Sequence, residues 1–301
     1  MAKGGESYQK TGYLRGQFHL FYLKEPPRGP VPVHYHDFHK IMILLDGAIR
    51  YSIEGREYAL VPGDVVLVRA GELHAPLFPE NAVYERLIIY LARDFARDDG
   101  LAAECPQLMQ CFAPGPEQSL QRVIRLSGEK ARRISRTGAD LVRLVRDERP
   151  DAPFFRKIKL CELLILLGRA SGPAREGTPE AEAERQAMAG QDPMLAQILQ
   201  YIALNLREPD LGIDSIAGQF ALSRSGLMHL FRRRMGCSVG SYIAEKRLFA
   251  ARSSIAEGMP VTQACYESGF GSYGAFYHAY RRRYGAPPGA GRSPLPGVME
   301  E

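Results

Sequence analysis

Two stretches of this chain carry the same chemistry at the same spacing: SRSGLMHLFRRRMG at residues 223–236 and SYGAFYHAYRRRYG at residues 272–285, aligned without gaps at an offset of 49. Each opens on a serine able to cap a helix and places a histidine six positions later, His229 or His278. Each closes on Arg-Arg-Arg-x-Gly, whose glycine is the residue that most readily ends a helix. Such self-similarity marks a duplicated unit. At about 100° per residue, the fourth, seventh and eighth positions after the serine share a face. They are Leu227, Leu230 and Phe231 in one copy and Phe276, Ala279 and Tyr280 in the other, a stripe that belongs against a core. The opposite faces hold Ser225, Met228, His229 and Arg232, and Gly274, Tyr277, His278 and Arg281. Donors beside apolar and aromatic groups are what DNA phosphates and base edges require. One arginine triplet alone reads more readily as a solvated helix end, because cations suit a helix C-terminus. Two matched triplets favour DNA, and residues 192–285 support this with eleven Lys and Arg against seven Asp and Glu.

Both stretches need partners to hold them. GIDSIAGQFALS precedes the first, with Ile213, Ile216, Ala217 and Phe220 on one face; PVTQACYESGF precedes the second, with Val261, Ala264 and Cys265 inward and Gly269 at its end. Short helix, tight turn and second helix make a helix-turn-helix unit, so the chain holds two. Residues 238–258 are long enough for one helix that fixes their separation. A rigid pair can enter two successive major-groove faces roughly 34 Å apart. Upstream, Asp192-Pro193 is a capping acid followed by proline at the first helical position, which opens a further helix through Leu195, Ile198, Leu199 and Ile202.

Residues 192–292 resemble the DNA-binding domain of the AraC/XylS family of bacterial transcription regulators. The resemblance rests on Ala217, Ser223, Phe231, Gly236, Tyr242, Arg247, Ala251, Gly269-Phe270, Phe276, Gly285 and Pro288. The chain departs from the family at Ser254, Cys265, Ala275, Tyr280 and Gly291. The resemblance implies base reading by Arg224, Ser225, Met228 and His229 in the first unit and by Tyr273, Tyr277 and His278 in the second, with Arg232 and Arg281 beside them. His229 and His278 can each donate to a guanine acceptor, and Met228 and Tyr277 offer apolar contact to a thymine methyl. Phosphate contact by either histidine is the alternative.

The N-terminal part is different in kind. Residues 17–92 alternate apolar and polar in short runs joined at Asp46-Gly47, Glu54-Gly55 and Pro62-Gly63, the pattern of an antiparallel sandwich or barrel. VHYHDFHKIMILLDG and PGDVVLVRAGELHAP resemble a cupin, and the segment resembles the family's sensory cupin, which implies a small-molecule effector in the barrel. His34 and His36 alternate to one side of a strand, His74 can approach from another, and Lys40 lies in the same region; these four are the candidate effector contacts. Three imidazoles can bind a divalent metal. The metal-binding pattern wants Glu where Lys40 stands, however, and the spacing of His39 turns it to the other face, so neither metal nor cofactor is expected. Lys40 suits an anionic or sugar-like ligand.

The fold class read from these signals is α+β multidomain, an N-terminal antiparallel β-barrel with following helices and a C-terminal all-α domain. Residues 1–100 are expected as the cupin-like domain, with residues 6–22 as an arm across its mouth, and 101–170 as helical. Residues 171–191 read as a linker, 192–292 as the DNA-binding domain and 293–301 as a disordered tail. In the helical part, Ile134, Leu141 and Val145 share one face and Ile158, Leu164 and Ile165 another, fit either to dimerise or to pack on the barrel. The 301 residues carry a net charge of +5, too mild to name a partner by itself. The five cysteines form no CxxC pair, and the first residues lack the apolar run of a signal peptide, which fits a cytoplasmic protein. The expected function is a sequence-specific regulator, an activator rather than a repressor. Its partners are double-stranded DNA, a small-molecule effector, a second copy of the chain and RNA polymerase, with no membrane. The alternatives are a metal-dependent cupin enzyme with a DNA-binding appendage and a nonspecific architectural DNA binder.

Overall fold

The run HKIMILLDG forms a nine-residue strand, β2 (His39–Gly47), in which the five consecutive residues Lys40 to Leu44 are all buried although they point alternately to opposite faces. Both faces of its sheet are therefore covered. The antiparallel order is β1 (Phe18–Leu23), β7 (Tyr84–Leu91), β2, β5 (Val65–Val68) and β8 (Val123–Ile124). A second antiparallel sheet holds β4 (Arg56–Leu60), β3 (Ile49–Ile53) and β6 (His74–Leu77). Met42, Leu44, Val66, Val68 and Ile88 of the first sheet share a core with Ile49, Tyr51, Ile53 and Leu60 of the second. The described residues are 14, 16–24, 31–78, 83–97, 100–113, 122–171 and 192–292 of this computed structural model. The chain divides into two units, residues 1–191 and 192–301.

Three expectations need correction. The two sheets do not close into a barrel, because the larger one is held between two cores instead of wrapping round one. The segment expected as an arm is in part an edge strand, with Phe18 to Tyr22 paired with Leu91 to Leu87. Its alternation explains this, since Phe18 and Leu20 reach one core and Phe21 and Leu23 the other. Residues 6–13 and 15 of that arm, the linker at 172–191 and the tail at 293–301 lie outside the described residues. Finally, Ile158 is 44% exposed. A short helix α1 (Leu101–Glu104) is followed by α2 (Gly128–Val145) and α3 (Ala152–Ala170). The buried face of α3 is Leu160, Leu163, Leu164 and Leu167, and Ile158, two positions before Leu160, lies nearly opposite it on the wheel. With Ile134 and Leu141 of α2, these leucines cover the outer face of the large sheet.

The second unit consists of α4 (Pro193–Leu204), α5 (Ile213–Gln219), α6 (Arg224–Met235), α7 (Val239–Ala256), α8 (Val261–Glu267) and α9 (Tyr273–Tyr284). The Asp192 carboxylate accepts from the amides of Met194 at 3.1 Å and Leu195 at 3.4 Å, capping α4. Ser223 caps α6 through the Gly226 amide at 3.0 Å, and Ser272 caps α9 through the Ala275 amide at 3.2 Å. Gly236 and Gly285 end those helices with the same φ of 69°. Leu227, Phe231 and Met235 of α6, and Phe276, Tyr280 and Tyr284 of α9, are buried, with Phe231 edge-on to Tyr242 of α7 at 5.4 Å.

One buried guanidinium ties these parts together. Arg247 of α7 donates from Nε to the Leu206 carbonyl at 3.0 Å and from Nη2 to the Glu208 carbonyl at 2.5 Å, both in the α4–α5 connection. Gly269, in the turn of the second helix-turn-helix, sits against the same place with φ of 91°. A Cβ there would collide with the Leu206 carbonyl oxygen and lie 2.8 Å from Arg247 Nε. Gly269→Ala is therefore expected to cost at least the left-handed penalty of about 1–2 kcal/mol. Thermal unfolding of the variant should show a lower midpoint, and an unchanged one would contradict the tight junction.

Candidate DNA-reading and ligand-binding sites

The outward faces read from the sequence lie outward in the structure. Arg224, Ser225, Met228, His229 and Arg232 of α6 are exposed, as are Tyr273, Gly274, His278 and Arg281 of α9, while Tyr277 is half-buried. Met228 at 41% and Tyr273 at 40% exposure are large hydrophobic groups left in solvent. The arginine triplets divide. Arg232 and Arg233, and Arg281 and Arg282, point to solvent, whereas the third member of each is half-buried. Arg283 Nε donates to the Glu245 carboxylate of α7 at 3.1 Å, and Arg234 Nε is buried without a hydrogen-bond partner among the described residues. Helical periodicity accounts for this, since three successive residues cannot share a face.

One residue at this surface was not singled out from the sequence. Asp214, the second residue of α5, holds the Arg224 guanidinium through Nη1 at 2.8 Å and 3.0 Å from its two carboxylate oxygens. The ten-residue separation across a turn gives no periodic signal.

In the N-terminal unit the four candidate ligand contacts come together. His34 and His74 exchange backbone hydrogen bonds of 3.1 Å and 2.9 Å, which set their rings 4.4 Å apart. His36 lies 4.7 Å from His74 and stacks on Phe38 at 4.0 Å. Lys40 is buried and donates from Nζ to the Tyr51 hydroxyl at 3.1 Å, a partner supplied by the other sheet that sequence spacing did not suggest. The Nδ1 atoms of His34, His36 and His74 lie 2.8 Å, 2.6 Å and 3.0 Å from the carbonyls of Pro32, Phe38 and Glu72. A carbonyl can only accept, so each Nδ1 carries its proton and each Nε2 presents a lone pair in the neutral ring. For His36 and His74 that Nε2 is buried with no partner among the described residues.

Burial, and then the Lys40 ammonium, hold the His36 pKa well below its ordinary value; burial, His36 and Lys40 do the same to His74. His39 faces the opposite side, stacked on Phe112 at 4.2 Å, and burial with Arg93 and Arg69 lowers its pKa to about 3. Among the described residues no group of three or more His, Cys, Asp and Glu is arranged to hold a metal ion. Elsewhere in this unit, a 650 Å³ groove on α3 is lined by Leu101, Phe154, Ile158 and Ile165, with Arg133 and Arg169 beside them. Among the described residues no helix is long and apolar enough to cross a membrane.

A family model described as an AraC-like ligand binding domain matches residues 24–144, and one described as a helix-turn-helix domain matches residues 216–293. The HTH-type transcriptional activator RhaS of Salmonella heidelberg (strain SL476) is 26% identical over 265 residues, spanning 87% of each chain. RhaS of Salmonella arizonae is 26% identical over 269 residues, with the same coverage. The solved structure of unsaturated fatty acid bound wild-type ToxT from Vibrio cholerae strain SCE256 covers 96% of this chain and 100% of its own at 14% identity. Its TM-score is 0.37.

The depressed histidines make stability depend on pH. Each is neutral when folded and takes up a proton more readily when unfolded, so its contribution is intact above its unfolded pKa, near 6.5, and is lost as pH falls toward the folded value. Thermal melts between about pH 7.5 and pH 5 should show stability falling by up to about 1.4 kcal/mol per unit for each such histidine below pH 6.5. A flat profile over that window would contradict the neutral buried cluster.

Proposed function

Because the chain belongs to the AraC/XylS family of DNA-binding transcription regulators with an N-terminal ligand-binding domain, we propose that α6 and α9 read two successive major-groove faces of one duplex. The observation that carries this reading is the pair of matched exposed faces on two helices that bury their other sides against one unit. Arg224, Ser225, Met228 and His229, and Tyr273, Tyr277 and His278, are the base-contacting groups; Arg232 and Arg281 contact phosphate. The RhaS relatives are activators by name, and activation, with RNA polymerase as the contacted enzyme, is the corresponding output here.

The effector binds among His34, His36, Lys40 and His74. Two buried imidazole acceptors require a ligand that brings donors, and the Lys40 ammonium adds a donor for an acceptor oxygen, which together suit a small hydroxylated molecule. No observation favours the metal-dependent enzyme, since an ammonium occupies the position that a carboxylate ligand would need. Phe154, Phe155 and Ile158 are exposed at 66%, 44% and 44%, an apolar face on α3 through which two copies associate. Association doubles the DNA contacts without new chemistry.

Selection of bound duplexes from a random pool, with and without a panel of monosaccharides and hydroxy acids, tests the reading. A bipartite consensus whose recovery depends on one ligand is the expected result, and binding without any consensus would leave only a nonspecific binder. On that consensus, His278→Ala should relax base preference at one position by about 1–3 kcal/mol. Arg281→Ala should weaken all sequences alike and flatten the salt dependence. Equal loss on specific and random DNA for the histidine variant would assign His278 to the backbone.

A further inference from the structure

The two helix-turn-helix units are alike in helices, caps and stops, yet they differ at the N-terminus of the reading helix. In the first unit, Arg224 is the opening residue of α6, and Asp214 of α5 grips it from across the turn at 2.8 Å and 3.0 Å. The positions 49 residues on are Gln263 and Tyr273. There the Gln263 amide bonds instead to Glu267 at 2.7 Å, and Tyr273 lies beside Phe276 and Tyr277, with ring centroids 6.0 Å and 6.3 Å away. The ion pair is thus a property of one unit and not of the duplicated fold.

Both partners are well exposed, at 64% and 73% of their side chains, so the pair adds little to stability. It also places a carboxylate at a surface meant for a polyanion, which opposes DNA binding in general. The Asp214 carboxylate suits the N-terminal turn of α5 whatever it pairs with, so what its pairing with Arg224 adds is orientation of the guanidinium. Asp214 occupies Nη1 alone, and the Nε and Nη2 edge of the planar guanidinium has no partner among the described residues. That edge is a two-donor fork, the shape that meets guanine O6 and N7 together. Without Asp214, Arg224 can swing to a neighbouring phosphate, a contact available on any sequence.

We infer that Asp214 is a positioning residue for specificity, holding Arg224 so that the first unit reads a guanine instead of gripping the backbone. The inference rests on α6 being a base-reading helix. It gives the two half-sites different chemistry: a charged fork on a guanine at α6, and aromatic and histidine contacts at α9.

The test compares the full-length protein with Asp214→Asn, Arg224→Lys and the double variant. Each is titrated against its selected duplex, the same duplex with every substitution at the α6 half-site, and a random-sequence duplex at the same salt. Asp214→Asn should bind random duplex several-fold more tightly and lose about tenfold in discrimination at one guanine, the loss expected of a bidentate contact. Arg224→Lys, which keeps the charge but not the fork, should lose preference at the same base pair, and adding Asp214→Asn should remove nothing more. Equal tightening on all duplexes by Asp214→Asn, with discrimination intact, would overturn the inference and leave Asp214 as bulk negative charge. Loss at that base pair which persists undiminished in the Arg224→Lys background would overturn it as well. Absence of any base preference in the unsubstituted protein would instead refute base reading by α6. Matched melting midpoints confirm that a variant is folded.

Discussion

Everything in the DNA-binding unit hangs on the junction around Arg247. A guanidinium buried in α7 satisfies two carbonyls of the α4–α5 connection, and the backbone of Gly269 closes over the same spot from the other helix-turn-helix. Burial alone lowers the Arg247 pKa, so the site is dry enough for those hydrogen bonds to count, and a carbonyl left there without its donor costs about 1–3 kcal/mol. The junction links the first unit, the connecting helix and the second unit at one point. On the proposed reading, two helices that address one duplex need a fixed separation, and this contact joins the elements that carry them.

The orientation of each reading helix follows from burial. Leu227 and Phe231 of α6 and their counterparts Phe276 and Tyr280 of α9 are fully buried, and a helix that buries one stripe must present the other. This is why so much of the second unit was legible in the sequence: the serine caps, the glycine stops and the apolar stripe are local signals. What escaped was non-local. The Arg283 contact needed Glu245 from another helix, and the Asp214–Arg224 pair needed the geometry of a turn. The N-terminal unit was read less well for the same reason. Strand alternation was visible, but a sheet covered on both sides gives a continuous apolar run at β2, and nothing in that run says whether the sheet closes. Phe18 to Tyr22 looked like an arm because its partner strand lies more than sixty residues away. Ile158 was misplaced because apolar residues fall on several faces of α3, so the sequence offered more than one stripe.

The histidine cluster is the costly feature of the N-terminal unit. Three imidazoles and an ammonium lie together in an otherwise apolar sandwich, and two buried acceptors have no protein donor among the described residues. Buried polar groups are normally satisfied, and exceptions concentrate where a ligand completes them. The backbone carbonyls that lock the tautomers make the cluster a preset pair of acceptors, unable to become donors without taking up a proton in a dry site beside Lys40.

The central claim is that α6 and α9 occupy neighbouring major grooves of one duplex at the same time. Methylation protection at guanine N7, which lies in the major groove, measures this most directly on a selected site. The structure leads us to expect two protected patches about one helical turn apart, both lost together when Gly269→Ala loosens the junction. Protection of a single patch, or two patches that respond independently to that substitution, would contradict a rigid pair.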